Sequence, residues 1–109
     1  MFISTGLATP YYAVIFSSVR RMDDISYDAM AERIDELVRG QPGFLAMESV
    51  RSDDGTGITV CYWNTLNDVK QWKENIFHKQ AQELGKAGWY SEYAVRIAEV
   101  TESYERITQ

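Results

Sequence analysis

The run Tyr12-Ala13-Val14-Ile15-Phe16 is apolar in both phases of a β-strand, and this constrains the fold more than any other feature of the chain. Successive strand side chains point to opposite faces, so a strand with one wet face alternates apolar and polar residues. The strand read here, Tyr12 to Arg20, does not alternate in its first half. A second run, Ile58 to Trp63, sets Ile58, Val60 and Tyr62 on one side and Cys61 and Trp63 on the other. A sheet built on these strands must be covered on both faces.

The rest of the chain supplies one cover. Asp23, Asp24 and Ser26 offer N-caps for a helix over about 26–39. Its apolar residues Tyr27, Met30, Ile34, Leu37 and Val38 follow the spacing of one buried face. Gly40 is placed as a C-cap and Pro42 prevents continuation. Phe44 to Arg51 reads as a strand, and Asp53-Asp54-Gly55-Thr56-Gly57 as a hairpin turn returning into Ile58–Trp63. Thr65 and Asp68 resemble a capping box, with Asp in place of the usual Glu or Gln. The helix they open carries Val69, Trp72, Ile76, Gln80 and Leu84 along one side, and Gly85 and Gly88 loosen its end. Glu92 to Glu102 is the last strand, and residues 1–10 form a loose arm. The order β-α-β-β-α-β is the ferredoxin-like α+β motif, a four-stranded antiparallel sheet with both helices on one face. The whole chain, 1–109, is one domain. No element remains for the second face, so a second copy of the chain is expected there, sheet against sheet.

Composition narrows the partners. A net charge of −5 lacks the basic face that nucleic acid or an anionic membrane surface requires. No apolar run approaches a membrane span, and the first residues lack the basic and apolar regions of a signal peptide. Cys61 is the single cysteine, which fits a reducing cytoplasm and excludes an internal disulfide. With one His and one Cys there is no zinc or non-haem iron pattern, and no glycine-rich nucleotide loop is present. No cofactor is implied.

The candidate site residues gather around the second helix. All three tryptophans fall between residues 63 and 89, and the single histidine, His78, lies among them. His78 is the one side chain whose ordinary pKa lies near neutrality, so it is the natural general base. An unbroken helix at ~100° per residue sets it about 180° from Val69, on the polar side. Asn75 could instead cap a new helical segment and turn His78 inward. Trp72 is on the core side, as packing or as the wall of a cavity; Trp63, Phe77 and Tyr90 are further candidate walls, and Tyr90 and Tyr93 could offer phenol hydrogen bonds. Glu48 lies inside a strand, in phase with Phe44, Ala46 and Val50, and must be paired or have its pKa raised. Arg20 and Arg96 are possible partners, and Glu48 is the second candidate base.

The run Tyr12-x-Val-Ile-Phe-x-Ser-x-Arg20, then Gln41-Pro-Gly-Phe44, Glu48-Ser49, Gly57-Ile-Thr-Val60, Tyr62-Trp63, Trp72-Lys73, His78-x-x-Ala-Gln82 and Trp89-Tyr90, resembles the antibiotic biosynthesis monooxygenase family, in a branch without characterised members. The likeness spans nearly everything after residue 10. It implies a dimeric α+β barrel whose relatives oxidise phenolic polyketides with O2 and no cofactor, degrade haem, or bind or isomerise small molecules. A helix break just before the His is common in the family. Haem-degrading relatives match at Trp72, but this chain has Gln82 where they carry the haem-ligating His, His78 lies about a turn away, and Ser17 or Ser18 replaces their strand-one Asn. The resemblance therefore implies a cofactor-free monooxygenase acting on a small apolar or aromatic molecule. The alternative is a non-catalytic dimer that binds such a molecule or serves a structural role.

Overall fold

A computed structural model of the chain describes residues 2–21, 26–79 and 90–108; the side chains at 26, 27, 30 and 76–79 lie outside the described set. The elements are β1 (Tyr11–Arg20), α1 (Ser26–Arg39), β2 (Phe44–Arg51), β3 (Thr56–Trp63), α2 (Leu66–Lys79) and β4 (Tyr90–Val100). They form one antiparallel sheet in the order β2-β3-β1-β4, the ferredoxin-like α+β arrangement expected. The two strands with apolar residues in both phases, β1 and β3, are its two central strands.

Local chemistry fixes the connections. After α1, Pro42 and Gly43 form the centre of a turn closed by the Phe44 N–H donating to the Gln41 carbonyl at 3.2 Å. Gly43 has φ +80°, the sign this turn needs at its third position, and a Cβ there would collide with the Asp68 side chain. Asp68 belongs to the N-cap of α2: its N–H donates to Thr65 Oγ1 at 3.1 Å, and that hydroxyl donates back to the Asp68 carboxylate at 2.7 Å. The hairpin between β2 and β3 turns at Gly55, φ +95°. Gly57, already inside β3, is needed for another reason. A Cβ would stand 2.8 Å from Arg51 Cζ, so its absence lets the guanidinium lie flat across the strand.

The core sits between the helices and one sheet face, here the inner face. Val38, Trp63, Val69 and Trp72 are its buried centre, and Ile34, Leu37, Phe44, Met47, Val14 and Cys61 pack around them. The Tyr27 and Met30 side chains expected on the buried side of α1, and Ile76, Gln80, Leu84, Gly85 and Gly88 on or after α2, lie outside the described side chains or residues. β4 runs over Tyr90–Val100 rather than 92–102. Among the described residues its partner is β1, which begins opposite Val100 at Tyr11 and, past an irregularity at Val19/Arg20, ends opposite Tyr90.

β2 departs from simple alternation. Phe44 pairs with Trp63 and Ala46 with Tyr62, so Leu45 is an extra residue in a bulge. Phe44 therefore packs inward against Trp63, whereas Ala46, Glu48 and Val50 point to the outer face. The expected phase match between Phe44 and Glu48 is corrected by this bulge.

The outer face is a grid read from the strand registers. Its rows, taken β2 to β4, are Ala46–Tyr62–Ala13–Ala98, Glu48–Val60–Ile15–Arg96 and Val50–Ile58–Ser17–Ala94. At the Tyr11 end the arm and tail tie onto this face: the Ser4 N–H donates to Glu48 at 2.8 Å, the Gly6 N–H to Glu105 at 2.6 Å, and the Tyr11 hydroxyl approaches Ser103 at 3.4 Å. Tyr11 and Ala13 are buried there. Neither helix lies on the outer face.

Candidate functional site

The inner face has two aromatic ends. At one, Trp63 stacks on Trp72 at 6.0 Å between ring centres, with Phe44 edge-on to Trp63 at 5.8 Å. The helical spacing of Val69 and Trp72 turns both onto this end. At the other, Phe16 meets Tyr90 edge-on at 5.1 Å and stacks with Tyr93 at 5.9 Å. Arg51 lies over the Tyr90 ring at 5.8 Å. Its guanidinium is fixed by donation to the Gly55 carbonyl and to Ser18 Oγ, the latter at 2.7 Å. Ser49 and Thr59 share a hydroxyl hydrogen bond of 2.7 Å on the same face.

Between these ends the inner side chains of β4 stay open. Tyr93, Val95 and Ile97 are 63%, 46% and 45% exposed, although the register sets them on the helix side opposite Ser18, Phe16 and Val14. α2 packs on β1 and β3 and leaves this apolar shelf uncovered among the described residues. On β3, separated from β4 by β1, the Trp63 side chain is 0% exposed, and its indole Nε1–H has no acceptor among the described residues. A buried donor left unpaired costs about 1–3 kcal/mol.

The predicted residues divide between places. Trp63 and Trp72 stand together. Tyr90 is on the same face at the far end, with Phe16, Tyr93 and Arg51. Phe77 and His78 are on α2, but their side chains lie outside the described set. The helix runs unbroken through Asn75, whose side-chain amide donates to Gln41 at 3.4 Å, so the expected alternative of a new helical cap at Asn75 is not formed.

Glu48 is on the opposite face of the sheet from the tryptophans. Its carboxylate accepts the Tyr62 hydroxyl at 2.7 Å and the Ser4 N–H at 2.8 Å. Neither arginine proposed as its partner contacts it: Arg20 pairs with Asp28 at 3.1 Å, and Arg96 projects from the far edge of the sheet. Partial burial pushes the Glu48 pKa up, but the Ser4 and Tyr62 hydrogen bonds outweigh it and hold it below the usual carboxylate value. Of the two alternatives, a partner or a raised pKa, Glu48 takes the first, with a phenol and an amide in place of an arginine. Tyr62 is displaced upward, by burial first and then by its bond to the Glu48 anion. On the inner face, burial pushes the Cys61 thiol up to about 11, with Asp35 adding to it.

Sequence reasoning missed Phe16 and Arg51. Both had a signal. Phe16 is in strand phase with Tyr12 and Val14, and Gly57 inside a strand marks close approach by another group, here Arg51.

Comparison with known proteins places this geometry among relatives. A family model described as antibiotic biosynthesis monooxygenase matches residues 10–84. The uncharacterised protein YqjZ of Bacillus subtilis (strain 168) is 48% identical over 99 residues, which span 91% of this chain and 87% of that protein. A variant of SnoaB, a cofactor-independent oxygenase from Streptomyces nogalater, superposes with a TM-score of 0.70 at 8% identity, covering 90% of this chain and 100% of that one. A monooxygenase from the gene ActVA-Orf6 of Streptomyces coelicolor, in complex with nanaomycin D, superposes at 0.62 with 15% identity, covering 90% and 93%.

Proposed function

Because the chain belongs to the antibiotic biosynthesis monooxygenase family, we propose that it is a cofactor-independent monooxygenase that uses O2 on a small phenolic or quinol-type, polyketide-like molecule. The observation that carries this reading is the uncovered apolar shelf of Tyr93, Val95 and Ile97 on the helix side of the sheet. A planar ligand lying on these three side chains would bury that shelf. The oxygenase activity of the SnoaB and ActVA-Orf6 proteins agrees with this choice of chemistry.

In the proposed reaction a base removes a proton from an acidic CH2 between aromatic rings. The resulting carbanion reduces O2 directly. One oxygen atom becomes the new carbonyl and the other leaves as water with the two hydrogens of the CH2, so no external reductant enters. The protein contributes deprotonation, positioning and exclusion of water. His78 is the base in this reading, and Trp63, Trp72, Phe77 and Tyr90 are the walls. Glu48, on the other face and held anionic by its hydrogen bonds, is left out of the chemistry.

The test is O2 uptake with an anthrone, using protein free of added metal, flavin or haem. Wild type should consume O2, His78→Ala should lose ~10²–10⁴ of the rate with the fold intact, and Glu48→Gln should retain it. In parallel, the Trp63 indole N–H resonance should move on ligand addition. Full activity in His78→Ala would remove His78 from the base role.

A second reading, a non-catalytic binding dimer, is favoured by the unbroken α2. Without a break at Asn75, helical spacing keeps position 78 about half a turn from Val69. Movement of the Trp63 resonance with no O2 uptake would select this reading. In either reading the protein is a homodimer closed over the outer face, and a cytoplasmic location fits the lone Cys61. Among the described residues no helix is long and apolar enough to cross a membrane.

A further inference from the structure

We infer that Arg51 sets the specificity of the inner-face site, and that its substrate is a flat aromatic molecule with a carboxylate at the end that meets the Arg51 guanidinium. This rests on the reading of the β4 shelf as the ligand site and names the substrate class for it.

Charge on the inner face stands at two opposite corners. The strand registers give rows that run from Phe44–Trp63–Tyr12–Glu99 at one end to Arg51–Gly57–Ser18–Tyr93 at the other. Within these rows the charged positions are Glu99 and Arg51. Arg20, beyond them on β1, meets Asp28 at 3.1 Å.

Arg51 starts on the edge strand β2, yet its charge is delivered to the shelf on β4. Gly57 leaves the neighbouring place on β3 without a side chain, and the guanidinium crosses it to donate to Ser18 Oγ on β1 at 2.7 Å. Ser18 is the register partner of Tyr93, the first residue of the shelf. The crossing covers two strand spacings, roughly 9.5 Å. The Gly55 carbonyl, the Ser18 hydroxyl and the Tyr90 ring, 5.8 Å from Cζ, hold the guanidinium in place. All three are neutral groups: they orient the cation and keep its charge. A guanidinium fixed beforehand loses little further freedom on binding, and its planar fork matches the two oxygens of a carboxylate.

The other end of the shelf has the opposite sign. From Tyr93 to Ile97 the strand runs about 13 Å. Past Ile97 comes Glu99, whose carboxylate accepts the Tyr12 hydroxyl at 3.1 Å. A flat ligand on the shelf therefore lies between a cation and an anion, and its acid group is drawn to the Arg51 end. The chain as a whole carries −5, so its long-range field disfavours any anion. A preference for an acid must then come from a local cation, and among the described residues Arg51 is the one placed beside the shelf.

The test is equilibrium binding of two fluorescent probes of nearly the same shape, anionic anthracene-2-carboxylate and neutral anthracene-2-carboxamide. Wild type should bind the carboxylate roughly tenfold or more tightly. Arg51→Gln, with folding verified by circular dichroism, should bind the two alike and hold the carboxamide as wild type does. A merely structural role, tying the β2–β3 hairpin to β1, would weaken both probes together and leave the preference between them unchanged. If Arg51→Gln fails to fold, the Nε–Hε resonance of Arg51 is followed in wild type instead, and the carboxylate should shift it far more than the carboxamide. No preference in wild type, a preference that survives in Arg51→Gln, or equal shifts from both probes overturns the role of Arg51 and leaves the shelf as a ligand site. Binding of neither probe to wild type, up to their solubility limits, overturns the shelf reading and this inference with it.

Discussion

Glu48 shows at the scale of one residue how a carboxylate in a strand becomes structural. Its two oxygens tie a phenol on β3 and a backbone amide from the arm into one contact. Because its folded pKa is held below the ordinary value, the anion stabilises the fold above the unfolded pKa, and that stabilisation is lost as pH falls through the folded one. Glu48→Gln should therefore be less stable than wild type at neutral pH. The gap should close as the pH is lowered past the usual carboxylate range, around 4. Denaturation midpoints at neutral and acidic pH measure this; a gap that stays constant would show that the charge contributes nothing. Cys61 is a contrasting case on the inner face. With its thiol pushed up to about 11 it stays protonated at neutral pH and packs as a small apolar group.

At the scale of elements, α2 is the piece on which the inner core depends. Val69 and Trp72 point to the same side, and Trp72 closes the stack on Trp63. Trp72→Ala should cost ~3–5 kcal/mol in chemical denaturation, through lost burial and the cavity left behind. A loss under about 1 kcal/mol would mean that Trp72 is not packed. This much was legible in the sequence, because helical spacing and bulky aromatics report burial directly. The division of β3 into two faces was legible too, as Tyr62 and Trp63 on opposite sides. The bulge in β2 was not. Leu45 is apolar, so the extra residue leaves no mark in the hydropathy pattern, yet it takes Phe44 out of phase with Glu48. The partner of Glu48 was equally hidden. Pairing by charge suggested an arginine, whereas the structure supplies a phenol and an amide, groups that composition cannot single out. The inward phase of Trp63 and Trp72 was legible, but the grouping of Phe16 with Arg51 was not, because it depends on strand order.

At the scale of the whole molecule, a layer of helices covers one side of the sheet, and the other side carries Val60, Ile58, Val50 and Ile15 with, among the described residues, the arm and tail at one end. Closing two such faces together is expected to bury about 2,000 Å2 or more. Light scattering at micromolar concentration should therefore return twice the 12.5 kDa of one chain, and a mass of one chain would contradict the dimer. The bulge at Leu45 has a consequence for how the length of this chain can vary. Removing one residue elsewhere within β2 would turn the side chains on one side of the cut over to the wrong face. Removing Leu45 would leave Phe44 inward, Ala46 outward and Met47 inward, a regular strand with every neighbour preserved. Insertion and deletion are thus nearly silent at this point in β2, and sequences aligned to this one can differ there by a single gap without exchanging one surface of the sheet for the other.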